Sequence, residues 1–220
     1  SLRAAVLLIV ASSSALWPAP GPGSAAPNQG LPADAFKSGP VQVVDGVVWV
    51  ANGPADTVER IDSPGGPATA FPLPDTNAPD NPKGLSVSAD GAQVWVAAHD
   101  SDRVYVLTAD GAVAHIVDMP YGSGPYSVAL SPPDVTGRQA WALVTLHRSE
   151  ALAAIDTASF EVTLLAPVFR GPAGIAWSED RVTAWITHLF VGGEHPHLTR
   201  VSIDGRPRVT GHVSVGAATP

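Results

Sequence analysis

Short runs of alternating apolar and polar residues, separated by turn-forming residues, recur along most of the chain. The segment 91–111, GAQVWVAAHDSDRVYVLTADG, contains two such runs around a short polar loop and ends in an Asp-Gly turn. A near copy, GVVWVANGPADTVERIDSPGG, covers residues 46–66. Alternation with a period of two places every second side chain on one face of a strand, and Asp-Gly favours a tight hairpin turn. The pattern therefore predicts repeated antiparallel β-hairpins.

This pattern repeats over residues 41–220, and its clearest markers are four tryptophans. Trp49, Trp95, Trp141 and Trp185 are separated by 46, 46 and 44 residues. Each stretch of about 45 residues contains four short strand patterns, which is the length and content of a propeller blade. We expect an all-β fold, a β-propeller of four-stranded antiparallel blades, with about four blades at approximately 41–80, 81–123, 124–170 and 171–220. The tryptophans are predicted to pack between blades from the same place in each second strand.

Two segments resemble a known repeat family. VWVANGPADTVERID, residues 48–62, and GSGPYSVALSP, residues 122–132, are similar to the YVTN-type β-propeller repeat, which is related in pattern to NHL and streptogramin-lyase-like blades. The resemblance covers roughly residues 41–220 and implies a propeller. Rings of the YVTN type usually carry more blades, commonly about seven, and VSVGAATP at the end of the sequence resembles the transition into a further blade. We therefore expect an incomplete ring.

Residues 1–26 are interpreted as a secretory signal peptide or another processed segment. Arg3 precedes the apolar run AAVLLIVA, and small residues and prolines follow it, which is the order found in signal peptides. A buried first helix or strand is the alternative interpretation. Residues 27–40 are predicted to be a flexible linker. These assignments predict a secreted or periplasmic protein without a membrane span, because a spanning helix needs about 20 apolar residues.

The composition excludes several kinds of site. The formal net charge is −8, and the two lysines, Lys37 and Lys83, form no basic patch, so nucleic-acid binding through phosphate contacts is not expected. The chain contains no cysteine, which excludes disulfides, thiolate metal sites and covalently attached c-type haem within it. A haem cofactor would therefore require a further domain.

Polar residues gather in loops that are predicted to share one face of the blades. In an antiparallel blade, the loop between the second and third strands and the connection to the next blade lie on the same side, which we call the loop face. His115 and His212 fall on outer strands instead and are interpreted as packed side chains. The candidate ligand-binding residues on the loop face are His99, Asp100, Asp102, His147, His188, Glu194, His195 and His197.

Imidazoles and carboxylates on one face can bind a divalent metal or act as acid and base groups near neutral pH. Neighbouring loops, however, are expected to lie about 10 to 20 Å apart, too far for histidines of different blades to share one ion easily. Loop tips also accumulate polar residues that have no function. The extended loop 189–197 is the strongest candidate, because long loops on a rigid scaffold are often functional.

Two functions remain open at this point. One is a binding or scaffold module that presents its loop face to a protein, a glycan or a small molecule, and the resemblance extends this to the propeller part of a haem-associated redox protein. The other is an enzyme. TAFPLPDTNAPDNPKGLSVS, residues 69–88, is similar to a blade junction of streptogramin lyases, which implies a lyase or lactonase type of propeller that uses a loop-face histidine as general base and a divalent metal. No residue is assigned a catalytic role.

Overall fold

Four sheets of short strands account for nearly all of the regular structure. The computed structural model describes residues 40–74, 79–165, 168–189 and 197–215, so the predicted signal peptide and nearly all of the predicted linker lie outside the described residues. The first two sheets contain β1 (Val41–Val44), β2 (Val47–Asn52), β3 (Thr57–Ile61), β4 (Ala68–Pro72), β5 (Pro82–Val87), β6 (Gln93–Ala98), β7 (Arg103–Thr108) and β8 (Val113–Asp118). The last two contain β9 (Pro125–Leu130), β10 (Trp141–Leu146), β11 (Ala151–Asp156), β12 (Val162–Leu164), β13 (Pro172–Trp177), β14 (Thr183–His188), β15 (His197–Ser202) and β16 (Arg208–Ser214).

Consecutive strands pair in antiparallel fashion, and each sheet follows the order of its strands in the chain. The prediction of an all-β fold built from four-stranded antiparallel blades is therefore confirmed. A single 3-10 turn, Gly53–Ala55, is the one helical element in the described part of the chain. No helix within the described ranges is long and apolar enough to cross a membrane.

Neighbouring sheets contact each other mainly through their first strands, which therefore form the inner edge of the array. A polar side chain on one inner strand bonds the backbone of the next. The Gln42 Oε1 accepts a hydrogen bond from the Val87 N–H at 2.7 Å. One sheet further on, the Ser86 Oγ accepts from the Leu130 N–H at 3.1 Å. The same contact at successive sheets shows that the repeat extends from the strand pattern to the way in which the blades pack.

Apolar side chains fill the space between each pair of consecutive sheets. Three clusters of buried residues lie between the first and second, the second and third, and the third and fourth sheets. Trp95 and Leu143 are fully buried in two of them. The described strands of the first and fourth sheets make no comparable contact. The four blades thus form an open array rather than a closed four-bladed ring.

One of the four tryptophans does not occupy its predicted place. Trp95 and Trp185 each pair with the fifth residue of the first strand in their own sheet. In the third sheet Leu143 holds that position, and Trp141 lies two residues earlier and is only partly buried. The prediction of equivalent positions is wrong for Trp141, because the loop before β10, residues 131–140, is longer than its counterparts and shifts the tryptophan along the strand.

Candidate functional site

The described candidate residues all lie at the loop face. His99 and Asp100 follow β6, Asp102 precedes β7, His147 follows β10, His188 ends β14 and His197 begins β15, whereas Glu194 and His195 lie outside the described residues. Backbone hydrogen bonds join the two kinds of loop. The His99 N–H donates to the Asn81 carbonyl at 3.3 Å, and the His147 N–H donates to the Gly124 carbonyl at 2.9 Å. Each histidine is thus attached to the connection that leads into an inner strand.

His99 and His147 belong to neighbouring sheets but lie side by side. Their ring centroids are 6.2 Å apart, and the ring of Tyr126, on the inner strand β9, lies 6.3 Å from His99 and 5.1 Å from His147. The expected separation of about 10 to 20 Å is wrong here. That spacing applies to sheets stacked face to face, whereas these sheets converge at the inner edge, where β6 contacts β9 directly. We call His99, Tyr126 and His147 the mouth cluster.

The imidazole of His99 is oriented by a carboxylate. Its Nδ1 lies 2.7 Å from the Asp100 Oδ1, and 13% of its side chain is exposed. Because the carboxylate accepts, Nδ1 carries the proton, and the neutral ring then has its lone pair on Nε2. Burial lowers the pKa of His99, and the positive charges of Arg148 and Lys83 lower it further against the opposing effect of Asp100. At neutral pH His99 therefore has an unprotonated Nε2.

Asp100 is itself held in place by two further donors. The Asn81 Nδ2 donates to its Oδ2 at 2.9 Å, and the Arg148 Nη2 donates to its Oδ1 at 2.5 Å. Burial alone would raise the pKa of Asp100, but the hydrogen bonds from Asn81, His99 and Arg148 together lower it. Since Arg148 comes from the third sheet and Asp100 from the second, this ion pair also links the two blades at the loop face.

Asp102 has a structural role in the connection between β8 and β9. Its carboxylate accepts hydrogen bonds from the Gly122 N–H at 2.6 Å and the Gly124 N–H at 2.8 Å. Gly124 has φ +59°, and a Cβ there would lie 2.8 Å from the Arg148 Cγ and 3.1 Å from the His99 Nε2. Asp102 therefore shapes the loop, and Gly124 allows that loop to pass directly beside His99.

A second group of histidines lies within the fourth sheet and is organised differently. The His188 Nδ1 is 2.9 Å from the Phe169 carbonyl, its Nε2 is 2.9 Å from the Thr199 Oγ1, and Thr199 is 3.0 Å from the His212 Nδ1. A carbonyl only accepts, so His188 Nδ1 donates, Thr199 donates to His188 Nε2, and His212 donates to Thr199. Both nitrogens of His188 are thus used inside the fold. We call His188, Thr199 and His212 the internal chain.

Phe169 covers this internal chain from the connection between the third and fourth sheets. Its ring lies 4.7 Å from the ring of His212 and stacks on His197 at 4.2 Å. The Nδ1 of His197 is 3.2 Å from the Ser214 Oγ. Burial lowers the pKa of His188, and the neighbouring His212 and His197 lower it further, while its hydrogen bond to Phe169 opposes the shift. His212, which the sequence placed among packed side chains, is exposed yet takes part in this chain.

The described residues contain no group of three or more histidine, aspartate or glutamate side chains arranged to hold a metal ion. In the mouth cluster, Nδ1 of His99 is bound to Asp100, and the carboxylate oxygens accept from Asn81 and Arg148. These bonds engage Nδ1 and the carboxylate oxygens, and the Nε2 of His99 that remains has no set of further ligands around it among the described residues.

Sequence reasoning missed several residues of both groups. Tyr126 and Lys83 are the second residues of inner strands, and the repeated motifs NPKG and GPYS mark them as equivalent positions. Thr199 and Phe169 carry no signal in the sequence, because their contacts depend on how strands from separate parts of the chain are aligned. The outer-strand His115 stacks on Phe160 with 3.9 Å between ring centroids.

Comparison with solved structures places this geometry in a known fold. A catalytically inactive virginiamycin B lyase from Staphylococcus aureus with quinupristin is 21% identical, covering 89% of this chain and 59% of that one, with a TM-score of 0.63. Hydrazine synthase from Kuenenia stuttgartiensis is 19% identical over 82% of this chain and 49% of its own, with a TM-score of 0.68. A putative 6-phosphogluconolactonase from Bacteroides uniformis is 17% identical over 80% and 57%, with a TM-score of 0.61.

The chain spans between 49% and 59% of the length of these three structures. No protein-family model matches the chain, and no curated protein sequence matches it. The resemblance to streptogramin-lyase-like repeat proteins is confirmed at the level of the fold: the chain has the β-propeller fold that these lyase, lactonase-like and hydrazine synthase structures share.

Proposed function

We propose that the protein binds a small-molecule ligand at the loop face, between its second and third blades. The observation that carries this proposal is the convergence of His99, Tyr126 and His147, from two different sheets, on one place at the inner edge of the array. Aromatic rings offer flat apolar surface together with polar atoms at their edges, which suits recognition of a small molecule.

The mouth cluster is also preorganised. His99 is fixed by Asp100, which is fixed in turn by Asn81 and Arg148. Tyr126 belongs to an inner strand rather than to a mobile tip. A site held in its binding geometry before the ligand arrives loses less conformational entropy on binding. The three rings are only partly buried, so they are not part of the packed core and a ligand can reach them.

A fragment screen followed by NMR tests the proposal. Binding compounds are expected to shift the side-chain resonances of His99 and His147, and Tyr126→Ala is expected to weaken their binding about ten-fold or more through loss of ring contact. Tyr121→Ala is the matched control, because Tyr121 is fully exposed on the connection that leads into β9 and makes no ring contact with the cluster. Screening that finds no compound at the cluster contradicts the proposal.

One observation favours an enzyme as the second candidate function. His99 has the arrangement of a general base: a carboxylate on Nδ1, an unprotonated Nε2 and partial burial. Such a group could remove a proton from a ligand held beside Tyr126. Quinupristin and a set of lactones are the substrates to assay, since the structural neighbours include a lyase determined with quinupristin and a putative lactonase.

If the protein turns over one of these substrates, His99→Ala is expected to reduce the rate about 100-fold or more, while Asp100→Asn reduces it less. His115→Ala is the control, since His115 lies on an outer strand. Turnover that survives in His99→Ala would remove His99 from the chemistry. The absence of turnover with any compound that binds would leave the binding function as the whole activity.

The cellular setting of this function is proposed from the sequence alone. Residues 1–26 support export to a secreted or periplasmic location, and the YVTN resemblance supports association with a haem domain supplied outside this chain. Cell fractionation and N-terminal sequencing of the mature protein test the first of these, and a cytoplasmic protein with residues 1–26 intact would contradict it.

A further inference from the structure

The inner strands of three sheets are interrupted at the same place, next to the mouth cluster. In β5, Pro82 pairs with Ala98 and Gly84 with Ala97, which leaves Lys83 between two paired residues. Tyr126 occupies the corresponding position in β9, where the register shifts in the same way, and β13 is also irregular near its start. A β-bulge turns a side chain out of the regular alternation and is common beside functional sites.

The two bulged side chains act on the same histidine. Tyr126 presents its ring to His99, with the planes at 82° to each other. The pairing of β5 with β6 places Lys83 near His99, because Pro82 pairs with Ala98 and the His99 N–H donates to the Asn81 carbonyl at 3.3 Å. The positive charge of Lys83 contributes to the lowered pKa of that imidazole. In the fourth sheet the equivalent position is Ala173, which has no functional group. The second and third sheets therefore place one ammonium group and one phenol around His99.

Lys83 has no counter-ion within the described structure, although the protein has an excess of acidic residues. Its side chain is only partly exposed. The arginines that do pair with carboxylates are Arg60, Arg103, Arg138, Arg148 and Arg170. The hydroxyl of Tyr126 likewise has no hydrogen-bond partner among the described residues.

Three carboxylates of the described loops on this face, Asp56, Asp100 and Asp102, are each engaged with other groups. Asp100 accepts from Asn81, His99 and Arg148. Asp102 accepts from backbone N–H groups of the β8–β9 connection, and Asp56 accepts from the Asn81 N–H. Lys83 is therefore a cationic group near the mouth cluster that no described carboxylate neutralises.

We propose that the ligand of the mouth cluster carries an anionic group, a carboxylate or a phosphate, that binds against Lys83. The Tyr126 hydroxyl donates a second hydrogen bond to that group, and the rest of the ligand lies against the rings of Tyr126 and His147. Charge-assisted hydrogen bonds of this kind are stronger than neutral ones. This inference rests on the proposed binding function and adds the chemical class of the ligand to it.

Benzoate, phenyl phosphate and benzamide are suitable probes, because they share one ring and differ in charge. Their affinities are measured by NMR titration of the full chain at constant ionic strength, with the His99 and His147 side chains as reporters. Benzoate or phenyl phosphate is expected to bind about ten-fold more tightly than benzamide. Lys83→Met is expected to remove that preference, and Lys83→Arg to retain most of it. The anion whose affinity exceeds that of benzamide by the larger factor identifies the anionic group as a carboxylate or a phosphate.

Arg206→Met is the matched control, because it removes one exposed positive charge that makes no ion pair among the described residues. It is expected to leave the preference unchanged.

A preference that survives in Lys83→Met would overturn the inference, and so would equal binding of benzamide and the anions. In the latter case the binding function stands and only the ligand class is wrong. Failure of all three probes and of the fragment screen would contradict both proposals. The backbone NMR spectrum of Lys83→Met, compared with that of Lys83→Arg, establishes that each variant is folded.

Discussion

The mouth cluster and the internal chain differ in how many ring nitrogens of their central histidine are bonded. In the mouth cluster a carboxylate holds Nδ1 of His99, and Nε2 is left beside Gly124 at the inner edge. In the internal chain both nitrogens of His188 are bonded, one to a backbone carbonyl and one to the buried Thr199 hydroxyl. Burial lowers the pKa of both histidines. A lowered pKa therefore does not distinguish a histidine with one bonded ring nitrogen from a histidine with both nitrogens bonded, whereas the hydrogen-bond partners do.

The largest expected effect comes from breaking the internal chain. Thr199→Val removes the buried hydroxyl between His188 and His212 and leaves the Nε2 of the half-buried His188 without a donor. The unfolding free energy is expected to fall by about 2 kcal/mol, measured by urea denaturation. Thr199→Ser keeps the hydroxyl and serves as the control. A Thr199→Val protein as stable as the wild type would show that the chain does not stabilise the fold.

The next effect concerns the loop beside the mouth cluster. Gly124→Ala places a side chain at φ +59° and against Arg148 and His99, and it is expected to cost about 1–2 kcal/mol of unfolding free energy. Gly122→Ala is the control, because Gly122 also has positive φ but has open space around it. Both substitutions should destabilise, but only Gly124→Ala should shift the NMR resonances of His99. Identical shifts in both would mean that the close approach has no consequence.

The pH dependence of stability tests the internal chain. The folded pKa of His188 lies below its unfolded value, so its neutral form stabilises the fold above the unfolded value of about 6.5, and that stability is lost as the pH falls. Protonation of His188 is opposed by His212 and His197, and it requires Thr199 to reverse its hydrogen bond. The unfolding free energy should therefore rise as the pH is raised from below the folded pKa of His188 to above about 6.5. The slope should be smaller in His188→Gln and unchanged in His115→Gln, whereas equal slopes in all three proteins would contradict this assignment.

The smallest expected effect on stability comes from the carboxylate of the mouth cluster. Asp100→Asn removes a partly exposed ion pair with Arg148, which should change the unfolding free energy by less than about 1 kcal/mol. Because Asp100 raises the pKa of His99, its removal should lower that pKa further, measured by NMR titration of the imidazole. A pKa that rises instead would show that Asp100 does not orient His99.

The blade pattern was predictable because its causes are local. Alternating side chains and Asp-Gly turns indicate hairpins within a few residues, and the repeat of about 45 residues gives their number. The position of Trp141 was not predictable from spacing, because the longer loop 131–140 shifts it by two residues while leaving the spacing between tryptophans nearly constant. The spacing between the tryptophans therefore indicated which strand carries each one, but not its position within that strand.

The candidate site was predictable in part. His99, Asp100 and His147 were selected because they occupy equivalent loops, and the structure places them together. The expected distance between those loops was wrong, because sheets that converge at an inner edge approach more closely than sheets stacked face to face. In the sequence Lys83 bears only on the overall charge, whereas its place near His99 depends on a bulge in β5.

The sequence by itself determined the all-β blade architecture and the face on which the polar loops lie, because both follow from alternation and turns between residues close in the chain. The tertiary structure alone decided which of those loop residues meet, and which nitrogen atoms are bonded. Such contacts join residues such as Asp100 and Arg148, 48 positions apart, whose separation depends on the packing of whole sheets. The physical reason is that a short-range pattern sets each strand, whereas a site between blades exists only after the blades have packed.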